Sequence, residues 1–155
     1  PRARRGYLME ILRAIERRAP SGDTNLGKIL LEVAGKMKRR GLVILVSDLL
    51  DEPEEILKGL RLFRFKGNDV IVFHLLDQAE LDLPFDGNIL FEDLEAANLQ
   101  VIADPRAIRA TYKEVVQEFV NDMRKQCHDS AIDYQLISTA TPLDQALASY
   151  LSWRG

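Results

Sequence analysis

Residues 41–51 read GLVILVSDLLD, Gly41 to Asp51, and the reading of this stretch decides the fold. Leu42 to Val46 run without a polar break. The run is too short to cross a membrane and rich in β-branched residues, so it predicts a strand buried on both faces of a parallel sheet. Ser47 and Asp48 follow at once, where an open α/β sheet places its ligand crevice, beyond the carboxyl ends of its strands. Asp51, Glu52 and Pro53 then predict a helix start, with an acid near the cap and proline in the first turn. One carboxylate, Asp48, is therefore expected at the end of a central strand with a helix opening beside it.

Working outward, Leu8, Ile11, Leu12 and Ile15 share one side of an expected first helix. After Pro20-Ser-Gly22 a second helix is expected, with Leu26, Ile29, Leu30, Val33 and Met37 facing inward. Its last turns are expected to hold Lys36, Lys38, Arg39 and Arg40, favourable against the helix dipole, and Gly41 to end it. Beyond the strand, Ile56, Leu57, Leu60 and Phe63 give a helix from Pro53 to about Phe65. Val70 to Phe73 give a second strand that again leads to an acid, Asp77. Two short runs, Ile89–Phe91 and Leu99–Ile102, predict a small antiparallel excursion. Asp104-Pro105 opens the longest helix, with Ile108, Tyr112, Val115, Val116, Phe119 and Met123 as its stripe. Tyr134–Ile137 is a third strand, and Thr141 caps a last helix with Asp144 reaching back. Strands alternating with helices imply βαβ units. The expected fold class is α/β: three layers, a mainly parallel sheet flanked by helices, with residues 1–41 a helical segment and 42–155 the α/β core.

With 155 residues, 46% hydrophobic and 29% charged, the chain has the composition of one ordinary folded domain. Its net charge of −3 hides an asymmetry: residues 1–41 hold 11 Lys/Arg against 4 Asp/Glu, and the rest 10 against 20. The basic residues interleave with a helical apolar stripe and with no aromatics to stack bases, so a solvated helix face is expected rather than a nucleic-acid contact. One Cys and two His argue against a disulfide framework and a structural zinc site. The lone thiol suits a reducing compartment, and no segment has the length of a membrane span. A cytoplasmic location without membrane contact by this segment is expected, which leaves room for an anchor in a full-length parent. The sequence begins with Pro1 rather than Met, as a piece of something longer would.

Several stretches carry a resemblance. Gly22-Asp-Thr-Asn-Leu26 ahead of a helix resembles the Gly-Thr-x-Leu step of von Willebrand factor A domains, and Val43–Asp48 resembles that fold's acid-terminated fourth strand. More closely, SDLLDEPEE, HLLDQAELDLPF from His74 to Phe85, LFEDLE, ADPRAIRATY and ISTATPLDQALASYL resemble bacterial domain-of-unknown-function family fifty-eight. The resemblance covers nearly the whole chain. It implies a von Willebrand factor A-like domain that works beside MoxR-type AAA+ ATPases, of which this chain holds the carboxyl half. In the parent fold an Asp-x-Ser-x-Ser turn, a Thr and a further Asp bind a divalent cation. Residue by residue, Thr24 matches the Thr and Asp48 the further Asp, and nothing here matches the turn. Mg²⁺ demands near-octahedral oxygen ligation and keeps its waters otherwise, so the chain is expected to hold it weakly or not at all, though a full-length parent has room for it.

Several of these residues have a plainer reading. Thr24 is equally a helix cap, Asp48 an acceptor for its own loop, Asp77 a loop carboxylate and His74 a packed histidine. Cys127 falls on the apolar stripe of the long helix and is expected buried. Two function classes remain. In the first, the strand-end surface of Thr24, Asp48, Asp51 and Asp77 meets a partner protein, a MoxR-type ATPase or its client. In the second, a Rossmann-like enzyme or phosphotransfer receiver uses Asp48. The second lacks a strand-end Lys, a Gly-Lys-Ser/Thr loop and a Gly-x-Ser-x-Gly elbow. Finally, a strand at 42–47 without a neighbour on one side offers unpaired amide and carbonyl groups, and so a homo-oligomer, most simply a dimer, is expected.

Overall fold

The computed structural model describes residues 5–17, 25–92 and 100–154. The elements in order are α1 (Arg5–Glu16), α2 (Leu26–Lys36), β1 (Leu42–Ser47), α3 (Pro53–Phe65), β2 (Asp69–Leu76), α4 (Gln78–Asp82), β3 (Ile89–Glu92), β4 (Gln100–Ala103), α5 (Pro105–Asp129), β5 (Asp133–Ser138) and α6 (Leu143–Arg154). The fold is α/β, as expected. Among the described residues β1, β2 and β5 form a parallel sheet in the order β1-β2-β5, and β3 pairs with β4 in a separate antiparallel ribbon.

Residues of β2 alternate between two cores because successive strand side chains point to opposite faces. Val70 and Val72 join Leu30, Ala34, Ile56, Leu57, Leu60, Phe63, Met123 and Cys127 under α2, α3 and α5. Ile71 and Phe73 join Ile137, Ala146 and Tyr150 under α6, where the Phe73 and Tyr150 rings meet edge to face at 5.2 Å. The chain thus builds three layers around one central strand.

That central strand is β2. The expectation that 42–47 is central and buried on both faces is corrected: among the described residues β1 lies at the edge of the sheet. Val43 and Leu45 face the core, whereas Leu42, Ile44 and Val46 are 54%, 51% and 56% exposed. An uninterrupted apolar run gives no alternation from which to read a missing neighbour.

The second helix also differs in its details. It ends at Lys36, so Lys38, Arg39 and Arg40 lie in the connection to β1. Its cap is Asn25, whose side chain accepts from the Lys28 N–H at 2.8 Å. The inward stripe is Gly27, Leu30 and Ala34, not Ile29 and Val33, which stay exposed. The reason is steric. A Cβ on Gly27 would stand 2.6 Å from the Glu55 Cβ, and one on Gly59 would stand 2.5 Å from the Leu30 Cβ, so α2 and α3 approach through their glycines. Lys66, just past α3, closes the other end of the pair by donating to the Ala34 carbonyl at 2.5 Å, a cation on the last carbonyls of α2. Buried Asn68 fixes the start of β1 by accepting from the Gly41 N–H and donating to the Phe63 carbonyl.

Candidate functional site

The carboxyl ends of the three parallel strands lead into the loops at 48–52, 77 and 139–142. The first loop is tightly determined. Ser47 Oγ accepts from the Leu49 N–H at 3.1 Å, and the Asp48 carboxylate accepts from the Leu50 N–H at 3.2 Å. Leu49 takes a left-handed φ of 57°, which costs an L residue about 1–2 kcal/mol. Its side chain is fully buried, worth about 2 kcal/mol, enough to offset that strain and pin the loop to the core.

Asp51 does not cap its own helix. One carboxylate oxygen accepts from the Glu52 N–H at 2.7 Å and the other from the Leu26 N–H at 2.6 Å, so Asp51 satisfies the first amide of α2 across the sequence. These amides hold its carboxyl below the usual range, Glu52 more than Leu26. Glu52 occupies the cap of α3 without a side-chain bond.

Asp77 lies at the end of β2 and caps α4, a short helix with no counterpart in the sequence reading. Its carboxylate accepts from the Ala79 N–H, and Glu80 reaches back to the Asp77 N–H in a capping box. The Thr139 hydroxyl donates to its other oxygen at 2.5 Å, and this bond, before the amide, lowers the Asp77 pKa. Asp77 and Thr139 therefore tie the β2 and β5 loops together. Asp48 and Asp51 belong to the β1 loop. Thr24 lies outside the described residues.

His74 stands at the centre of this end of the sheet and is completely buried. Nε2 lies 2.8 Å from the Asp48 carbonyl and Nδ1 2.6 Å from the Tyr134 hydroxyl. A carbonyl only accepts, so Nε2 carries the proton and Nδ1 accepts from Tyr134. Burial lowers the His74 pKa below its ordinary 6.5 and keeps the ring neutral. Both nitrogens are occupied in the fold, which leaves none to serve as a base. Cys127 is fully buried, and desolvation pushes its thiol up to about 11, away from the reactive thiolate.

Between the β1 loop and α5 runs a groove of about 630 Å³, lined by Leu49, Leu50, Tyr112, Val115, Val116 and Phe119, with Asp51 and Glu52 on its rim. The expected inward stripe of α5 is corrected here. Beyond Pro105 in its first turn, the buried residues of α5 are Val120, Met123 and Cys127 in its carboxyl half, while Ile108 and Val115 open toward solvent. Periodicity marked these residues as apolar; it could not say that no described element covers them.

The described residues do not assemble a cation site. Among them no group of three or more His, Cys, Asp or Glu is placed to hold a metal ion, and the Asp48 carboxylate already serves a backbone amide.

The family model for a "Protein of unknown function DUF58" matches residues 1–121. No curated protein and no solved structure matches the chain.

Proposed function

The chain belongs to the DUF58 family of proteins of unknown function, and from that premise we propose that it works as a protein-interaction module. The single observation behind this reading is the apolar groove beside the β1 loop, rimmed by Asp51 and Glu52. Leu50 and Val115 in its walls are 68% and 59% exposed, an arrangement that a partner segment of apolar and basic side chains would satisfy. The chemistry of the neighbouring groups supports binding over catalysis: the imidazole and thiol nearest the site are locked in the core.

In this reading the fold is von Willebrand factor A-like, the partner is a MoxR-type AAA+ ATPase or its client, and Thr24, Asp48, Asp51 and Asp77 mark the strand-end surface that meets it. Mg²⁺ is held weakly or not at all by this chain in this reading, since one hydroxyl and one carboxylate are too few to displace its waters. Among the described residues no helix is long and apolar enough to cross a membrane.

The test is a binding measurement against the MoxR-type ATPase of the same organism. The parent chain is expected to bind, and Leu50→Lys, Val115→Lys and the pair Asp48→Ala with Thr24→Ala are expected to weaken binding at least tenfold while circular dichroism stays unchanged. Equal binding by all of these variants would sink the reading.

A further inference from the structure

At the opposite end of the sheet from the strand-end loops, the two connections that lead into β1 and β2 meet. The first, residues 37–40, reads MKRR, and the second, residues 66–68, reads KGN. Both ends of the first connection are tied to the second. Lys66 donates to the Ala34 and Gly35 carbonyls, and Asn68 accepts from the Gly41 N–H. Met37, Lys38, Arg39, Arg40, Lys66 and Asn68 line a pocket of about 280 Å³ between them. Its walls come from these two connections alone, so it is independent of the groove and of the sheet's edge. Gly67 makes room for one of its cations. It takes a left-handed φ of 80°, and a Cβ there would stand 2.8 Å from the Arg40 Nε, so the guanidinium lies over bare backbone.

Helix ends do not account for these charges. Both α2 and α3 finish here, and a helix end carries about half an elementary negative charge, so the pair calls for about one cation. Lys66 on the α2 carbonyls already supplies it. Lys36 pairs with Glu32, and Arg64 with Asp69. Among the described residues no ion pair reaches Lys38, Arg39 or Arg40. These three hold like charges around one pocket, an arrangement that repels itself until an anion enters.

We propose that this pocket binds a small phosphate-bearing anion of the diphosphate or triphosphate class. The guanidinium forks of Arg39 and Arg40 match phosphate oxygens two at a time, and Lys38 adds a point charge. The volume lies just under the roughly 300–1,000 Å³ of sites for larger organic ligands, which suits a compact ligand with concentrated charge. A carboxylate-bearing peptide would instead spread single charges along its length.

The test is a titration of the full chain with inorganic pyrophosphate at constant ionic strength, followed amide by amide in proton–nitrogen spectra. Saturable shifts are expected at residues 38–41 and 66–68, with none at 48–52. Arg39→Ala and Arg40→Ala, both at exposed positions, should each weaken binding about tenfold. Lys36→Ala removes the same charge outside the pocket and should leave the affinity unchanged. Shifts that are scattered or never saturate, equal losses from Lys36→Ala and Arg39→Ala, or a preference for an oligoglutamate peptide over pyrophosphate would overturn the proposal.

Discussion

The buried imidazole of His74 holds the backbone of Asp48: Nε2 on the central strand donates to the Asp48 carbonyl at 2.8 Å, just past the end of the neighbouring strand. The candidate carboxylate is thus positioned from beneath by a residue that never reaches the surface. The Tyr134 hydroxyl completes the bridge from the third strand. Two strands and one loop share a single histidine.

Replacing that ring has two consequences. His74→Leu strands the Tyr134 hydroxyl and the Asp48 carbonyl, and each lost partner in a buried site costs about 1–3 kcal/mol. The variant should show a lower denaturant midpoint at pH 8. The pH dependence follows from the lowered pKa. The unfolded state takes up a proton near 6.5 while the folded ring resists it. The stability due to neutral His74 is therefore complete above about 6.5 and is lost as pH falls through the lower folded value. The gap between parent and variant should narrow from pH 8 to pH 5 in matched urea titrations.

Asp51 joins the β1 loop to α2 through the Leu26 amide. Asp51→Ala should speed hydrogen exchange at the first turn of α2, read amide by amide, with the core of the sheet unaffected. Asp51→Asn keeps an acceptor and should recover most of the protection. Protection in Asp51→Ala equal to that of the parent would mean that the bond carries no weight.

The α2–α3 contact predicts opposite effects from the same substitution at two glycines. Gly59→Ala drives a methyl into the Leu30 Cβ, and overpacking of this kind costs about 1–3 kcal/mol. Gly35→Ala, also helical, meets nothing within 4 Å and should stabilise by about 0.5–1 kcal/mol through helix propensity. Thermal melts of the two variants beside the parent decide the matter.

Burial of Cys127 makes a chemical prediction. With its thiol pushed up to about 11, the native chain should resist a thiol-specific reagent at pH 8 and react fully in denaturant. Fast labelling of the native chain would show that α5 does not stay closed over it.

Much of the core was legible along the chain because periodicity is a local property. The stripe Ile56, Leu57, Leu60 and Phe63 names the buried face of α3 outright, and residues 89–91 and 99–102 announced the antiparallel ribbon. The α2 stripe misled because size and polarity rank Ile29 and Val33 as more apolar than Gly27. Close approach of two helices rewards the absence of a side chain, which no hydropathy pattern records.

The site was legible only in part. Asp48 and Asp77 at strand ends follow from the βαβ pattern, since parallel strands deliver their carboxyl ends to one edge. Their partners do not, because His74 with Tyr134, Asp77 with Thr139 and Asp51 with Leu26 are joined across 25 to 62 positions. Sequence by itself determined the α/β class, the identity of the strands and the acids that end them, because each rests on neighbouring residues and backbone geometry. Tertiary structure alone decided that the first half of α5 lines an open groove, that α2 turns Gly27 rather than Ile29 inward and that Asp48 and Tyr134 hold the two nitrogens of His74. Those facts depend on what stands on the far side of a residue, and a linear pattern of polarity holds no record of an absent neighbour.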